Sequence, residues 1–186
     1  MKAFSHSAFW LITLLCFIAC GNDTKDLQEI MAMQTVQEDK ASEVTIIMSE
    51  GNLVKAKIFA HTFVRNQTAQ PPYTDMKDGL RVEFFDDSSR VESTLTARYA
   101  RIYEDENNIL IRDSIVIVNK KGEQLETEEL VWNQKVKKCY TEKFVRITTP
   151  TQVIFGDGLE ANEDFTWYLI KNIKGVIQVD KSELPE

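Results

Sequence analysis

From Val44 onward, apolar and polar positions alternate with a period of two, the pattern of strands that bury one face. Val44, Ile46 and Met48 stand among polar neighbours. Val91, Ser93, Leu95, Ala97 and Tyr99 alternate with Glu92, Thr94, Thr96 and Arg98. Ile109-Leu110-Ile111 and Ile115-Val116-Ile117-Val118 are β-branched runs, while Phe144-Val145-Arg146-Ile147 and Gly175-Val176-Ile177-Gln178-Val179 are mixed ones. Such residues fit a pleated, half-buried surface. Turn-forming clusters lie between them: Asp86-Asp87-Ser88-Ser89, Glu104 to Asn108, Asn119-Lys120-Lys121-Gly122 and Thr148-Thr149-Pro150. The pattern predicts an all-β fold of antiparallel strands, with no helix after residue 42. Arg65 to Gly79, containing Pro71-Pro72, reads as the longest loop and the place for mobility.

A short apolar-x-small unit recurs along these strands as Val54-Lys55-Ala56, Leu95-Thr96-Ala97, Leu125-Glu126-Thr127 and Leu159-Glu160-Ala161. The spacing suggests repeats of roughly 30 residues, each unable to bury its apolar side alone. Stacked copies would build an open-ended roll.

The amino-terminal segment follows another rule. Ala8 to Ala19 is a continuous apolar run behind Lys2, shorter than the ~20 residues a spanning helix needs but of the length of a signal-peptide core. It ends Phe17-Ile18-Ala19-Cys20 and turns polar at once, an ending that resembles a bacterial lipobox with Phe17 in place of the usual Leu. The expected organisation is therefore a signal peptide over 1–19, a lipid-anchored tether over 20–41 and a β domain over 42–186. Two or more acyl chains on Cys20 would anchor the protein stably. Leu27, Ile30, Met31 and Met33 have weak helical spacing, so a partner-binding helix within the tether stays open as a second reading.

Composition narrows the chemistry. The net charge of -7 and 29 acidic against 22 basic residues give no basic face for nucleic acid. Once the signal is removed, Cys139 is the only cysteine besides Cys20 and His61 is the only histidine. No triad, zinc-ligand spacing or phosphate-binding loop can be assembled. The adjacent pairs Asp86-Asp87 and Glu128-Glu129 would point to opposite faces of a strand. No catalytic residue, metal or cofactor is expected.

Leu125-Glu126-Thr127-Glu128-Glu129-Leu130-Val131-Trp132, then Val145-Arg146-Ile147, Gly156-Asp157-Gly158-Leu159-Glu160-Ala161 and Ile173-Lys174-Gly175-Val176 together resemble the LptC family of the lipopolysaccharide export machinery. The likeness covers roughly residues 44–179, and its most specific part is the G-x-G-L-x-A element. The resemblance implies a twisted β-jellyroll (OstA/LptA-like) whose sheets splay around an open apolar groove for lipopolysaccharide. The groove would be lined by Leu95, Ala97, Tyr99, Ile111, Ile115, Ile117, Val145, Ile147, Leu159 and Ala161. The implied partners are the permease subunits of an inner-membrane ABC transporter and an LptA-like periplasmic jellyroll. The latter would add a strand to an edge formed by Val44, Ile46 and Met48, or by Ile173, Val176 and Ile177. Relatives of this kind are held by an amino-terminal helix. A lipobox here implies a periplasmic domain lipid-anchored to a membrane, most simply the inner one. Lys120, Lys121, Lys135, Lys137, Lys138, Lys143 and Arg146 are candidates for phosphate contacts. An outer-membrane or surface lipoprotein with a β-sandwich that binds glycan or protein is the alternative; exposed aromatics on loops would favour it.

Overall fold

A computed structural model describes residues 38–178 apart from 104–105. The signal segment, Cys20 and the tether up to residue 37 lie outside the described residues. Eleven strands follow one another: β1 (Glu38–Glu50), β2 (Leu53–Asn66), β3 (Tyr73–Phe85), β4 (Val91–Ala97), β5 (Tyr99–Tyr103), β6 (Asn108–Asn119), β7 (Gln124–Asn133), β8 (Lys138–Thr148), β9 (Gln152–Asn162), β10 (Tyr168–Ile170) and β11 (Ile173–Gln178). There is no helix among the described residues. All strands join a single antiparallel sheet in the order β1-β2-β3-β4-β6-β7-β8-β9-β10. β4 and β5 share one rank between β3 and β6, and β10 and β11 share the last rank on β9.

Three sequence expectations change. β1 begins at Glu38, so the sheet takes in residues 38–41 of the expected tether. The expected loop from Arg65 to Gly79 is mostly strand: β2 runs to Asn66 and β3 starts at Tyr73. Only residues 67–72 turn, with Asn66 Oδ1 accepting from the backbone N–H of Thr68 and Ala69. The prolines sit at the turn and leave the ladder on either side intact. The spacing of roughly 30 residues is that of one long hairpin, since β6 begins at Asn108 and β8 at Lys138.

A sheet of long strands closes on itself only if every strand bends, and here they bend at one level. Inward-facing residues on either side of the bend are three apart in β2 (Ala60, Phe63), across β4 and β5 (Ala97, Ala100), in β7 (Thr127, Leu130) and in β9 (Gly156, Leu159). They are four apart in the alternate strands β3 (Met76, Leu80), β6 (Ile111, Ile115) and β8 (Thr141, Val145). Each neighbouring pair thus carries one extra residue on one strand, a β-bulge, which bends and twists the ladder. The bulged positions include Asp78, Gly79, Asp113 and Ser114, all at positive φ. Asp is among the few residues that tolerate this conformation. Backbone bonds continue across the bend, from Gly79 N–H to Arg98 O (3.1 Å) and from Arg98 N–H to Asp113 O (3.0 Å).

The bend divides the sheet into two leaves. The first holds the amino-terminal part of β1, the far end of β2, the start of β3, β5 and β10. The second holds the rest of β1, the start of β2, the end of β3, β4 and β11. They face each other across one continuous core that contains Ile58, Val82, Leu95, Ile111, Ile117, Leu130 and Ile147. At the lips opposite the bend, Lys137 pairs with Glu50 and Gln134 donates to the Met48 sulfur at 3.6 Å.

Candidate functional site

Nine of the ten positions read as groove-lining are buried in this core: Leu95, Ala97, Ile111, Ile115, Ile117, Val145, Ile147, Leu159 and Ala161. Ile115 is 1% exposed, so it is Ile115, not Val116, that faces inward. Tyr99 is different. The bend at Arg98 shifts the alternation, Ala100 takes the inward position, and the Tyr99 hydroxyl instead donates to Asp75 at 2.8 Å on the outer side. The interior is packed side chain against side chain.

The closure is completed at the lips by three aromatic rings. Phe84, near the end of β3, meets Trp132 of β7 edge-on at 5.1 Å and Phe165 at 6.2 Å. Phe165 comes from the turn 163–167 between β9 and β10, yet is only 3% exposed. The turn is fastened by its own polar groups. Phe165 N–H donates to Asn162 O (3.1 Å), Trp167 N–H to Asn162 Oδ1 (2.9 Å) and Thr166 N–H to Asp164 Oδ1 (3.1 Å). On one side of it lies a cleft of about 340 Å³ lined by Met48, Lys55, Phe84, Trp132, Lys137 and Glu163, among others. On the other side a narrow slot is lined by Ile117, Leu125, Ile147, Phe165 and Tyr168. Burial pushes the Glu163 carboxyl above its usual range, opposed in part by Trp132 and Lys137. Phe165 escaped the sequence reading because it lies outside any alternating run, whereas Phe84 continues the alternation of Leu80 and Val82 and was legible there.

The G-x-G-L-x-A element has a geometric basis. A β carbon on Gly156 would stand 2.5 Å from Ile170 Cγ2 and 2.8 Å from Lys171 O, because the connection between β10 and β11 crosses β9 there. Gly158 sits at the bend with φ +88°, where a side chain is disfavoured.

Outside the first leaf lies a buried polar cluster. Met76 and Ala100 point into the core, so their neighbours Asp75 and Arg101 project from the opposite face. Arg101 binds Asp75 through two bonds of 2.7 and 2.9 Å and stacks 4.0 Å from the Tyr73 ring. Burial works to raise the Asp75 carboxyl. Arg101, Tyr99 and Lys77 outweigh it and hold the group below its ordinary value. Burial and Asp75 push the Tyr99 phenol up to about 12.

The other expected groups are dispersed. β1 forms one edge of the sheet, and β10 and β11 form the other. Ile173, Val176 and Ile177 are all more than half exposed on β11, whereas Val44, Ile46 and Met48 are half-buried. Of the candidate cations, Lys120 pairs with Glu92, Lys137 with Glu50, Lys138 with Glu160 and Arg146 with Glu126. His61 Nδ1 is 2.8 Å from Glu43, which raises its pKa. Cys139 is buried, and burial pushes its thiol well up, away from the reactive thiolate. No grouping of residues suited to a metal ion occurs among the described residues, and none of their helices is long and apolar enough to cross a membrane.

The fold, two leaves around an apolar, aromatic-sealed interior, defines a β-jellyroll. A family model described as "Lipopolysaccharide-assembly, LptC-related" matches residues 59–178, and the chain belongs to the LptC family. Membership makes the protein a component of lipopolysaccharide transport, periplasmic and associated with the inner membrane. No curated protein matches the chain.

Proposed function

We propose that the protein receives lipopolysaccharide from an inner-membrane ABC exporter, shelters its acyl chains between the two leaves, and passes it to an LptA-like jellyroll paired edge to edge. The observation that carries this reading is the predominantly apolar inner surface, from Ala56 in β2 to Ala161 in β9, within a chain of this family. Acyl chains make no directional demands. An apolar surface receives them without stranding polar groups, and each side chain covered contributes on the order of 1–3 kcal/mol by area. The exposed edges β1 and β11 supply unpaired backbone groups for strand addition to neighbouring jellyrolls. Anchorage through an acylated Cys20 would keep the domain at the membrane where lipid is delivered.

The test is photo-crosslinking in cells from p-benzoylphenylalanine at two aromatic positions. Phe84 is 1% exposed and faces the interior, while Phe144 is 52% exposed on the outer face. Lipopolysaccharide adducts at position 84 and none at 144 are expected. Adducts at neither position, in folded membrane-bound protein, would overturn the reading.

One observation favours the alternative of a surface module. Trp167 lies on the β9–β10 turn and is 53% exposed, next to exposed Leu169. Glycan or protein adducts from position 167, with none to lipid from position 84, would move that alternative ahead.

A further inference from the structure

Phe165 stands apart from every other residue of the core. The rest of the core is drawn from ladder strands; Phe165 alone is supplied by a turn, residues 163–167. Its backbone is left-handed, φ +55°, a conformation that a residue with a β carbon and a bulky ring adopts at a cost. Its backbone N–H donates to Asn162 O, but the side chain has no polar tie: the ring is held by burial against Phe84, while the side-chain hydrogen bonds of the turn are made by Asn162, Asp164 and Thr166. The ring lines the narrow slot beside Ile117 and Tyr168, while its neighbours Glu163, Asp164 and Thr166 line the cleft beside Trp132.

We propose that the turn 163–167 is a stopper: Phe165 occupies the gap between the lips that a lipid tail needs, and lipid enters only when this turn swings outward. The proposal rests on the lipid-carrying reading above. A ring bound only by apolar contact can be replaced by another apolar group of similar area without leaving a hydrogen bond unmade, so an incoming tail can take its place. Release also lets the backbone leave its left-handed conformation, which favours the open turn once the ring is displaced. The root of the turn stays on its own leaf through one backbone bond that extends the β8–β9 ladder, from Glu163 N–H to Lys137 O at 3.2 Å. Lys137 in turn pairs with Glu50 at the tip of the other leaf. The stopper is thus tied to both lips at once.

Two variants move the stopper in opposite directions. Phe165→Gly removes the ring and suits the positive φ, so the turn keeps its shape without its plug. A Lys137→Cys, Glu163→Cys pair joins the two neighbouring backbones and, when oxidised, holds the turn shut. Both are made in the full-length chain carrying p-benzoylphenylalanine at position 84, in native membranes, with protease resistance as the measure of folding. Lipopolysaccharide adducts are expected to rise several-fold in F165G over the parent, to vanish in the oxidised cysteine pair and to return on reduction. Equal labelling in parent, F165G and the oxidised pair overturns the stopper and leaves the carrier reading standing. No labelling in any form, F165G included, overturns the carrier reading and the stopper with it.

Discussion

The Asp75 cluster outside the first leaf and the Phe84–Trp132–Phe165 cluster between the leaves both exclude water, but they are held by opposite means. In the first, each polar atom has a named partner: a two-pronged guanidinium, a phenol and a nearby ammonium converge on one carboxylate. In the second, three rings touch at 5.1 and 6.2 Å with nothing directional between them. Directional clusters have one arrangement and fail when a member is lost. Clusters held by area accept any filler of similar shape. The molecule keeps its specific bonds on the outside, where the sheet must not change. It leaves the interior to contacts that another apolar molecule can replace.

Substitutions can break or sharpen that contrast. The largest effect should come from Asp75→Ala, which leaves Arg101 charged and half-buried without its partner; such losses cost about 3–5 kcal/mol, read as a fall in chemical-denaturation stability at neutral pH. The same site should dominate the acid response. Its folded pKa lies below the unfolded value, so its stabilisation is complete above about pH 4 and disappears as the pH falls through the folded value. Asp75→Asn should be less stable than the parent at pH 7 and lose less on acidification. Parallel pH curves for the two proteins would remove Asp75 from that role.

Gly156→Ala should come next. Its β carbon would press on Ile170 and the backbone of Lys171, and overpacking of this kind costs about 1–3 kcal/mol. Hydrogen exchange should rise first in β10 and β11, which depend on β9 alone. The smallest effect should be Ile117→Leu, a volume-conserving swap of apolar filler expected to cost less than about 1.5 kcal/mol. If it proved as damaging as Asp75→Ala, the interior would be a fixed jigsaw, and the contrast drawn above would fail.

Most of the strands were legible in the sequence because alternation is a local property. Leu95 and Ala97 stand apart from Thr94 and Thr96 within a few residues, whereas the run from Ile115 to Val118 reads as a strand without telling which face turns inward. The bend was not legible, because it is written in a relation between strands. Three-residue spacing across β4 and β5 makes sense only beside four-residue spacing in β3 and β6. Read alone, Leu95, Ala97 and Tyr99 continue one face, and the switch to Ala100 is invisible. Pro71-Pro72 likewise suggested a long loop, although prolines need only a short turn between two long strands. Of the interior, the β-branched lining was foreseen and its closure was not. Phe165 is an isolated aromatic in a polar stretch, and nothing nearby in the chain announces that it turns inward.

The order of the sheet has a consequence in time. Every rank pairs with the rank next to it in sequence, with no strand threaded between two others. Hairpins of this kind close over short stretches of chain, so little loop entropy must be overcome before each pairing forms. A chain that arrives amino end first can zip up rung by rung, each strand serving as template for its successor. The contacts between leaves form only when whole hairpins already exist. The last rank to arrive, β10 and β11 on β9, also brings the turn that carries Phe165. On such a route the vessel is built before its stopper is fitted.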